Sequence, residues 1–156
     1  MNNPKKESGQ SPNASDALSA LHDAKYLNLE SYRQGGAGVR TPVWFAAGSG
    51  DFPNSDNRKL YVYTTAHSGK AKRIRRRGSV RIAACDVRGR ATAPWTEAVA
   101  EVVTGEEAEL GMRLLDRKYC PWKQLLNLSA MLFRRRKRIV LAIQPVATDA
   151  SAGDRL

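Results

Sequence analysis

The sequence predicts one domain, mainly β with helices added, built around a six-stranded antiparallel barrel. Its 156 residues are 42% hydrophobic and 26% charged, which suits a single globular domain with one core. About six short segments have the residue pattern of half-buried strands. Most links between these segments are too short for parallel crossovers, and closing an antiparallel sheet into a barrel removes its exposed edges.

Polar tails are expected to flank this domain. Residues 1–14 are mostly Asn, Pro, Ser, Lys and Gln, so they predict a disordered tail, and residues 147–156 predict a second flexible tail. The domain is therefore expected to span residues 15–146. It begins with a short helix that ends at His22, for which Ser15 or Asp16 is the expected N-terminal cap.

Six segments predict strands because β-branched, aromatic and aliphatic residues lie between turn-forming residues. In the fifth segment, Ala98 and Ala100 share one face, while Glu97 and Glu101 share the other. The first two strands are expected to form a hairpin through the glycine-rich turn at 35–38. The predicted strands are residues 26–32, 39–46, 59–64, 80–85, 95–103 and 139–144.

Pro42 lies inside the second predicted strand. Proline has no N–H to donate to a ladder, so this part of the strand is expected at an edge, at a bulge, or facing something other than a strand. The polar residues 48–57 that follow this strand predict a surface loop.

Helices are predicted between the later strands. A short basic helix is expected over residues 67–77. Thr104 and Glu107 have the spacing of a capping box and predict the start of a longer helix, and Pro121 predicts the start of another.

The chain is strongly basic, with 26 Lys and Arg against 15 Asp and Glu and a net charge of +11. Such a charge attracts polyanions, anionic lipid or a phosphorylated ligand. The basic residues concentrate in two runs, residues 70–77 and residues 134–138. The second run predicts a charged helix end, with a contact to an acidic ligand or to nucleic acid as the functional alternative.

The sequence does not predict a membrane protein, because no apolar stretch approaches the roughly 18 to 20 residues of a spanning helix. It also lacks the apolar segment of a signal peptide, so a cytoplasmic location is expected. Cys85 and Cys120 have no His or Cys at metal-ligand spacing, and we interpret both as reduced thiols.

A phosphate site is predicted where the third strand leads into the basic helix. The strand ends at Thr64 and Thr65, and Ser68 and Gly69 open the helix. Unpaired amides at a helix start attract phosphate, Ser68 adds a hydroxyl group, and the lysines at positions 70 and 72 add positive charge. The glycine spacing of a Walker loop is absent, and a solvated basic turn is the alternative.

Several segments, taken together, resemble a known family. These segments are residues 24–29, 40–45, 60–64, 68–74 and 80–90, with Trp95. They resemble the pyridoxamine 5'-phosphate oxidase-like split barrels, which bind flavin or the deazaflavin coenzyme F-420, and look most like the actinobacterial branch described as probable F-420-dependent enzymes. The resemblance covers residues 24–145 and implies a six-stranded split barrel of the FMN-binding type.

The resemblance also implies which residues bind the coenzyme. It places the ring against Thr41, Pro42 and Val43. It places Thr64 and Thr65 along the same groove, and the phosphate at the helix start. The phosphate-binding residues it implies are Ser68, Gly69, Lys70 and Lys72.

The family is usually a homodimer with two cofactor sites at the subunit interface. The resemblance therefore implies a homodimer in which Trp95, Trp122 or the helical pair contributes to the partner's pocket. It also offers a role for the basic run at residues 134–138, which is contact with the acidic polyglutamate tail of F-420.

The function implied is an oxidoreductase that uses F-420, or alternatively FMN, for hydride transfer to or from a small organic substrate. No dedicated catalytic base is required, since the coenzyme supplies the chemistry. Tyr61, Tyr63 and His67 lie near the expected groove, although each is more typical of a packing or turn residue. A non-catalytic carrier of flavin, F-420 or haem is the first alternative. A basic barrel that stacks nucleic-acid bases on Tyr61 and Tyr63 is the second, and the proline in strand two disfavours it.

Overall fold

The computed structural model describes residues 14–48, 59–119 and 137–146. The predicted tails, the loop at 48–57 and the helix expected from Pro121 therefore lie outside the described residues, apart from Ala14 and Gly48. Within the described ranges, the elements are α1 (Ala14–Asp23), β1 (Tyr26–Tyr32), β2 (Gly38–Trp44), β3 (Ala46–Ala47), β4 (Leu60–Thr65), α2 (Gly69–Arg76), β5 (Ser79–Cys85), β6 (Thr96–Val103), α3 (Gly105–Tyr119) and β7 (Arg138–Pro145).

The strands form one antiparallel sheet in the order β2-β1-β5-β6-β7-β4-β3. The two edge strands, β2 and β3, are consecutive in the chain and are separated by Phe45 alone. Because one residue joins the two edges, the sheet must curl back on itself. The predicted architecture, an antiparallel barrel with added helices, is therefore confirmed.

The predicted number of strands was six, whereas the described part of the sheet has seven. The predicted strand at 39–46 divides at Phe45, so that β2 pairs with β1 and β3 pairs with β4. The residues on both sides of Phe45 favour strand, and a change of pairing partner has no local sequence signal.

The core lies inside the curled sheet. Inward-facing side chains from five strands are almost completely removed from solvent, and each contributes about 1.5 to 3 kcal/mol when fully buried. β6 has the predicted alternation, with Ala98 and Ala100 buried and Glu97 and Glu101 exposed. The largest fully buried residues of this core are Phe45, Leu27, Leu29, Val62, Ile82, Leu141 and Ile143.

The barrel is split between β2 and β4. β3 is two residues long and pairs with Leu60 and Tyr61, and no described strand continues this pairing along the rest of β4. β2 likewise pairs with β1 alone among the described strands. β2 and β4 also lie in contact, so the edges that no described strand pairs face one split.

Pro42 lies in β2, opposite Asn28 of β1. β2 is an edge strand, so the structure confirms the prediction that this proline occupies an edge. An edge tolerates proline because the missing N–H interrupts no ladder on the open side.

Helix α3 packs on the outer face of the barrel. Tyr61, Val103 and Val140 lie beneath it as a second apolar cluster. At its end, the Tyr119 hydroxyl accepts a hydrogen bond from the Phe45 N–H at 3.1 Å and lies 2.9 Å from the Phe45 carbonyl. Tyr119 therefore holds the main chain at the residue where the two sheet edges meet.

Helix α1 begins at Ala14, so the predicted cap at residues 15–16 is wrong. Ser15 and Asp16 lie in the first turn, where short polar residues are also favourable.

Cys85 is a buried free thiol, and Cys120 lies outside the described residues. No helix in the described ranges is long and apolar enough to cross a membrane.

Candidate functional site

The split ends at the turn between β4 and α2. The Ser68 N–H donates to the Thr65 carbonyl at 3.0 Å, which reverses the chain after the strand. Ser68 is the N-cap of α2, and its hydroxyl accepts a hydrogen bond from the Ala71 N–H at 3.2 Å. The Thr64 hydroxyl donates to the same oxygen at 3.0 Å. The predicted helix start is confirmed, and two hydroxyl groups meet there.

Lys70 points toward these hydroxyl groups. Its ammonium lies 3.5 Å from Thr64 Oγ1. Burial and the positive charge of Arg73 lower the pKa of Lys70. None of the ion pairs among the described residues includes Lys70. The folded chain therefore holds a half-buried ammonium that no described carboxylate neutralises.

Arg73 belongs to the same site, although the sequence analysis did not single it out. Its Nε donates to Ser31 Oγ at 2.7 Å, and Ser31 is 1% exposed. Its guanidinium folds back over the start of α2, where a Cβ built on Gly69 would lie 2.8 Å from Nη1. Gly69 and Arg73 are four residues apart and share a helix face, so their spacing in the sequence could have indicated that Arg73 reaches the helix start. Gly69 therefore leaves room for a second cation.

The structure thus brings together Thr64, Ser68, Gly69 and Lys70 of the predicted site. Lys72 is exposed, and its side chain makes no hydrogen bond or ion pair within the described part of the chain. Successive residues of a strand face opposite sides, so Thr65 faces away from Thr64.

Thr65 faces the outer side of the barrel. It is opposite Arg138 in the β4–β7 register. Arg138 lines an outer groove of about 600 Å³ between α3 and β7, whose floor includes Met112 and Val140. Thr65 therefore lies on the outer face opposite Arg138, while Thr64 lies toward Lys70.

The three predicted ring contacts lie along the open edge of β2 but do not share a face. Thr41 and Val43 are paired with Leu29 and Leu27 of the core, and Val43 is buried. Pro42 faces outward, where a Cβ on Gly89 would lie 3.5 Å from its ring. The edge of β2 therefore presents apolar side chains on both faces next to the split.

Trp95 lies on the outer face beside β2. Its ring stacks with the guanidinium groups of Arg40 at 4.7 Å and Arg81 at 5.4 Å. Both arginines also reach the buried carboxylate of Glu30, at 2.6 Å and 3.7 Å respectively. These two cations have an acidic partner, which distinguishes them from Lys70 and Arg73.

The three side chains considered as proton donors have different environments. Tyr61 is buried under α3, and its hydroxyl donates to Glu107 at 3.3 Å. Tyr63 is half-buried, with the guanidinium of Arg138 at 5.6 Å from its ring. His67 is exposed. A buried ring cannot stack on a base, so Tyr61 does not suit the nucleic-acid alternative.

Comparisons with known proteins identify the fold. No protein-family model matches the sequence, and no curated protein sequence matches it. Among solved structures, HutZ, the heme storage protein from Vibrio cholerae, aligns with a TM-score of 0.54 and 14% identity, over 85% of this chain and 89% of that chain. An F-420 reductase aligns with a TM-score of 0.52 and 17% identity, over 83% of this chain and 92% of that chain.

A third similar structure is a pyridoxamine 5'-phosphate oxidase-related, FMN-binding protein from Nostoc punctiforme. It aligns with a TM-score of 0.50 and 14% identity, over 88% of this chain and 82% of that chain. The chain therefore shares its fold with these three structures, one of which is pyridoxamine 5'-phosphate oxidase-related, and the fold that the resemblance implied is confirmed.

Proposed function

We propose that this chain binds a flavin-type coenzyme, F-420 in first place and FMN in second, and acts with it as an oxidoreductase on a small organic molecule. The observation that carries the proposal is the cluster of Lys70, Arg73 and two hydroxyl groups at the end of the split. This cluster lies beside two open strand edges, in a fold shared with an FMN-binding protein and an F-420 reductase.

The donor set fits a phosphate group. It combines an ammonium, a guanidinium and the Thr64 and Ser68 hydroxyl groups, and the described residues place no carboxylate among them. A phosphate at this point would restore the charge balance that burial of Lys70 disturbs. Lys70 and Arg73 would bind it, and Ser68 would orient it from the helix start.

The strand edges fit a flat ring. No described strand pairs with the outer side of β2, so main-chain groups on that side can hydrogen-bond the polar rim of a ring. Val43 and Pro42 offer apolar contact to its faces. When bound, the coenzyme would supply hydride transfer, and the residues of this chain would bind it, orient it and exclude water.

The resemblance to the F-420-dependent branch favours F-420 over FMN. A non-catalytic carrier of flavin, F-420 or haem and an oxidoreductase differ in whether turnover occurs. They are therefore distinguished by experiment and not by the position of the residues.

The first experiment is a fluorescence titration of the purified protein with F-420 and with FMN. Lys70→Ala should weaken binding about ten- to a hundredfold, because a charge-assisted contact to phosphate is worth about 1.5 to 3 kcal/mol. Arg88→Ala removes one exposed charge from the loop between β5 and β6, where only the main chain of Arg88 makes a described hydrogen bond, and should leave the affinity unchanged. Equal affinities in wild type and Lys70→Ala would contradict the site.

Turnover is the second experiment. Reoxidation of reduced F-420 in the presence of quinones, nitro compounds and enones should be accelerated by the wild-type protein and not by Lys70→Ala. Tight binding with no acceleration for any acceptor would favour a carrier.

We also propose that the chain forms a homodimer with the coenzyme site at its interface. Support comes from apolar side chains left on the surface, since Val99 is 50% exposed and Leu110 is 41% exposed. Light scattering should give about twice the mass of 17.2 kDa. A monodisperse monomer at micromolar concentration would overturn this proposal and leave coenzyme binding to be judged separately.

A further inference from the structure

Ser31 places a hydroxyl group where the alternation of β1 favours an apolar side chain. Successive residues of a strand point to opposite faces, so Ser31 shares the inward face of β1 with Leu27 and Leu29. Both leucines belong to the core, and Ser31 is buried as deeply as they are, with 1% of its surface exposed. A hydroxyl group in such a place costs stability unless it is hydrogen-bonded, so this residue needs a partner.

That partner is Arg73 of α2. Its Nε donates to Ser31 Oγ at 2.7 Å, a short bond of the kind that a charged donor makes. The bond occupies one of the five N–H groups of the guanidinium, so the four on Nη1 and Nη2 remain for a ligand. No ion pair among the described residues includes Arg73. Ser31 therefore fixes the inner nitrogen of a cation whose outer nitrogens have no described carboxylate.

Gly69 gives the outer part of the same guanidinium its place. A Cβ built on Gly69 would lie 2.8 Å from Nη1, 3.6 Å from Cζ and 3.8 Å from Nη2 of Arg73. The guanidinium therefore lies across the first residue of α2, in space that any larger residue would fill. Gly69 stands between the cap Ser68 and Lys70, so the outer nitrogens lie at the start of the helix.

A long side chain held in this way loses little freedom when it binds a ligand. Arginine has many rotamers, and immobilising one such side chain on binding lowers an affinity by about twofold to tenfold. Ser31 fixes Nε, and Gly69 leaves room for Nη1 at the helix start. The folded chain has therefore met this entropy cost before a ligand arrives.

We propose that Ser31 and Gly69 are positioning residues for the phosphate of the coenzyme, and that both act through Arg73. This inference rests on the proposed coenzyme site and identifies what orients one of its cations. Ser31 is buried, so its effect on a phosphate must pass through Arg73. Alanine at position 69 keeps the main-chain N–H, so its effect would come from displacement of the guanidinium.

The test measures the phosphate preference, which we define as the Kd of riboflavin divided by the Kd of FMN. The same ratio is measured for F-420 and its deazaflavin core without the phosphate. Arg73→Ala should reduce the preference about tenfold or more. Ser31→Ala should reduce it about twofold to tenfold and leave the binding of riboflavin and of the deazaflavin core unchanged.

Gly69→Ala should reduce the phosphate preference to a similar extent without lowering Tm. The atoms that its Cβ would displace are the end of a flexible side chain, and alanine favours a helix more than glycine does. A residue with a merely structural role would change Tm and leave the preference as it is. Ser79→Ala, which removes an exposed hydroxyl group from β5, is the matched control and should keep the wild-type preference.

The double variant Ser31→Ala/Arg73→Ala shows whether Ser31 acts through Arg73. It should have the phosphate preference of Arg73→Ala alone, because the residue that Ser31 positions is gone. An unchanged preference in Ser31→Ala or Gly69→Ala, or a further loss in the double variant, would overturn the positioning role while coenzyme binding stands. Failure of the wild type to bind any of the four ligands would overturn the proposed function and this inference together.

Discussion

The position of Lys70 suits a ligand but lowers the stability of the ligand-free protein. Its lowered pKa means that the fold disfavours the charged form, mainly through burial. Stability associated with this group therefore increases as the pH rises through its folded-state pKa toward the ordinary lysine value. A neutral side chain of similar length should be better accommodated at neutral pH than the ammonium.

We therefore expect Lys70→Met to raise the free energy of unfolding of the coenzyme-free protein by up to about 1 kcal/mol while it weakens coenzyme binding. Thermal unfolding without ligand would show a Tm a few degrees higher. Lys72→Met changes an exposed lysine and should leave Tm unchanged. A lower Tm for Lys70→Met than for wild type would show that the ammonium stabilises the fold.

Glu30 differs from Lys70, because the fold favours the charged form of its side chain. The hydrogen bond from Arg40 at 2.6 Å lowers the pKa of this buried carboxyl group, against the effect of burial. A lowered folded-state pKa contributes stability that is present above the ordinary glutamate value and is lost as the pH falls through the folded-state value. Glu30 therefore contributes at neutral pH and not in strong acid.

Glu30→Gln should lower the free energy of unfolding by about 1 to 3 kcal/mol near pH 7, since it removes the partner of two arginines. Urea denaturation at a series of pH values should show the difference shrinking as the pH falls from the ordinary glutamate pKa through the folded-state pKa of Glu30. A difference that stays constant down to about pH 3 would mean that packing, and not charge, makes Glu30 important.

At the scale of elements, Gly111 sets how closely α3 approaches the sheet. A Cβ at this position would lie 2.9 Å from Val140 Cγ1 and 3.0 Å from Tyr61 Cδ1. Gly111→Ala should cost about 1 to 3 kcal/mol, because the helix must move outward. Gly35→Ala meets no atom within 4 Å and should change stability little. Equal unfolding midpoints for the two variants in urea would contradict this account.

The positions of most elements could be predicted because their signals are local. The alternation in β6, the cap at Ser68 and the edge position of Pro42 each depend on a few adjacent residues. The break at Phe45 was missed because it reflects which strands pair, and pairing order is a property of the whole sheet. The capping-box spacing marked the start of α3 correctly.

Only part of the candidate site could be predicted from the sequence. Ser68 and Lys70 have local signals, a hydroxyl residue and a cation at a helix start. Arg73 needs Ser31 to define its position, and the two are 42 residues apart in sequence. Lys59 is an example of a cation kept away from the site, since its ammonium contacts the Glu107 carboxylate at 2.8 Å, 48 residues along the chain. Contacts between distant segments decide which side chains of a basic run face the site.

At the scale of the whole molecule, the charge of +11 is divided between two environments. Arg40 and Arg81 share the Glu30 carboxylate, and Lys59 pairs with Glu107. Lys70 and Arg73 are without a described carboxylate and are shielded from solvent in part. A small anion bound there would make short contacts that dissolved salt screens weakly, whereas a polymer spread over the exposed arginines would be screened strongly.

This division predicts the salt dependence of binding. Each phosphate of a nucleic acid releases counterions when it is neutralised, so RNA binding should fall by orders of magnitude between about 50 and 200 mM salt. F-420 binding should persist at about 200 mM, because the contacts at Lys70 are partly buried and the ring adds an apolar contribution at Pro42 and Val43 that salt does not weaken. Titrations of both ligands at the two salt concentrations, with Lys70→Ala as the control, measure the difference directly. Sub-micromolar RNA affinity at the higher concentration, together with no binding of F-420 or FMN, would make nucleic acid the ligand that the positive charge serves.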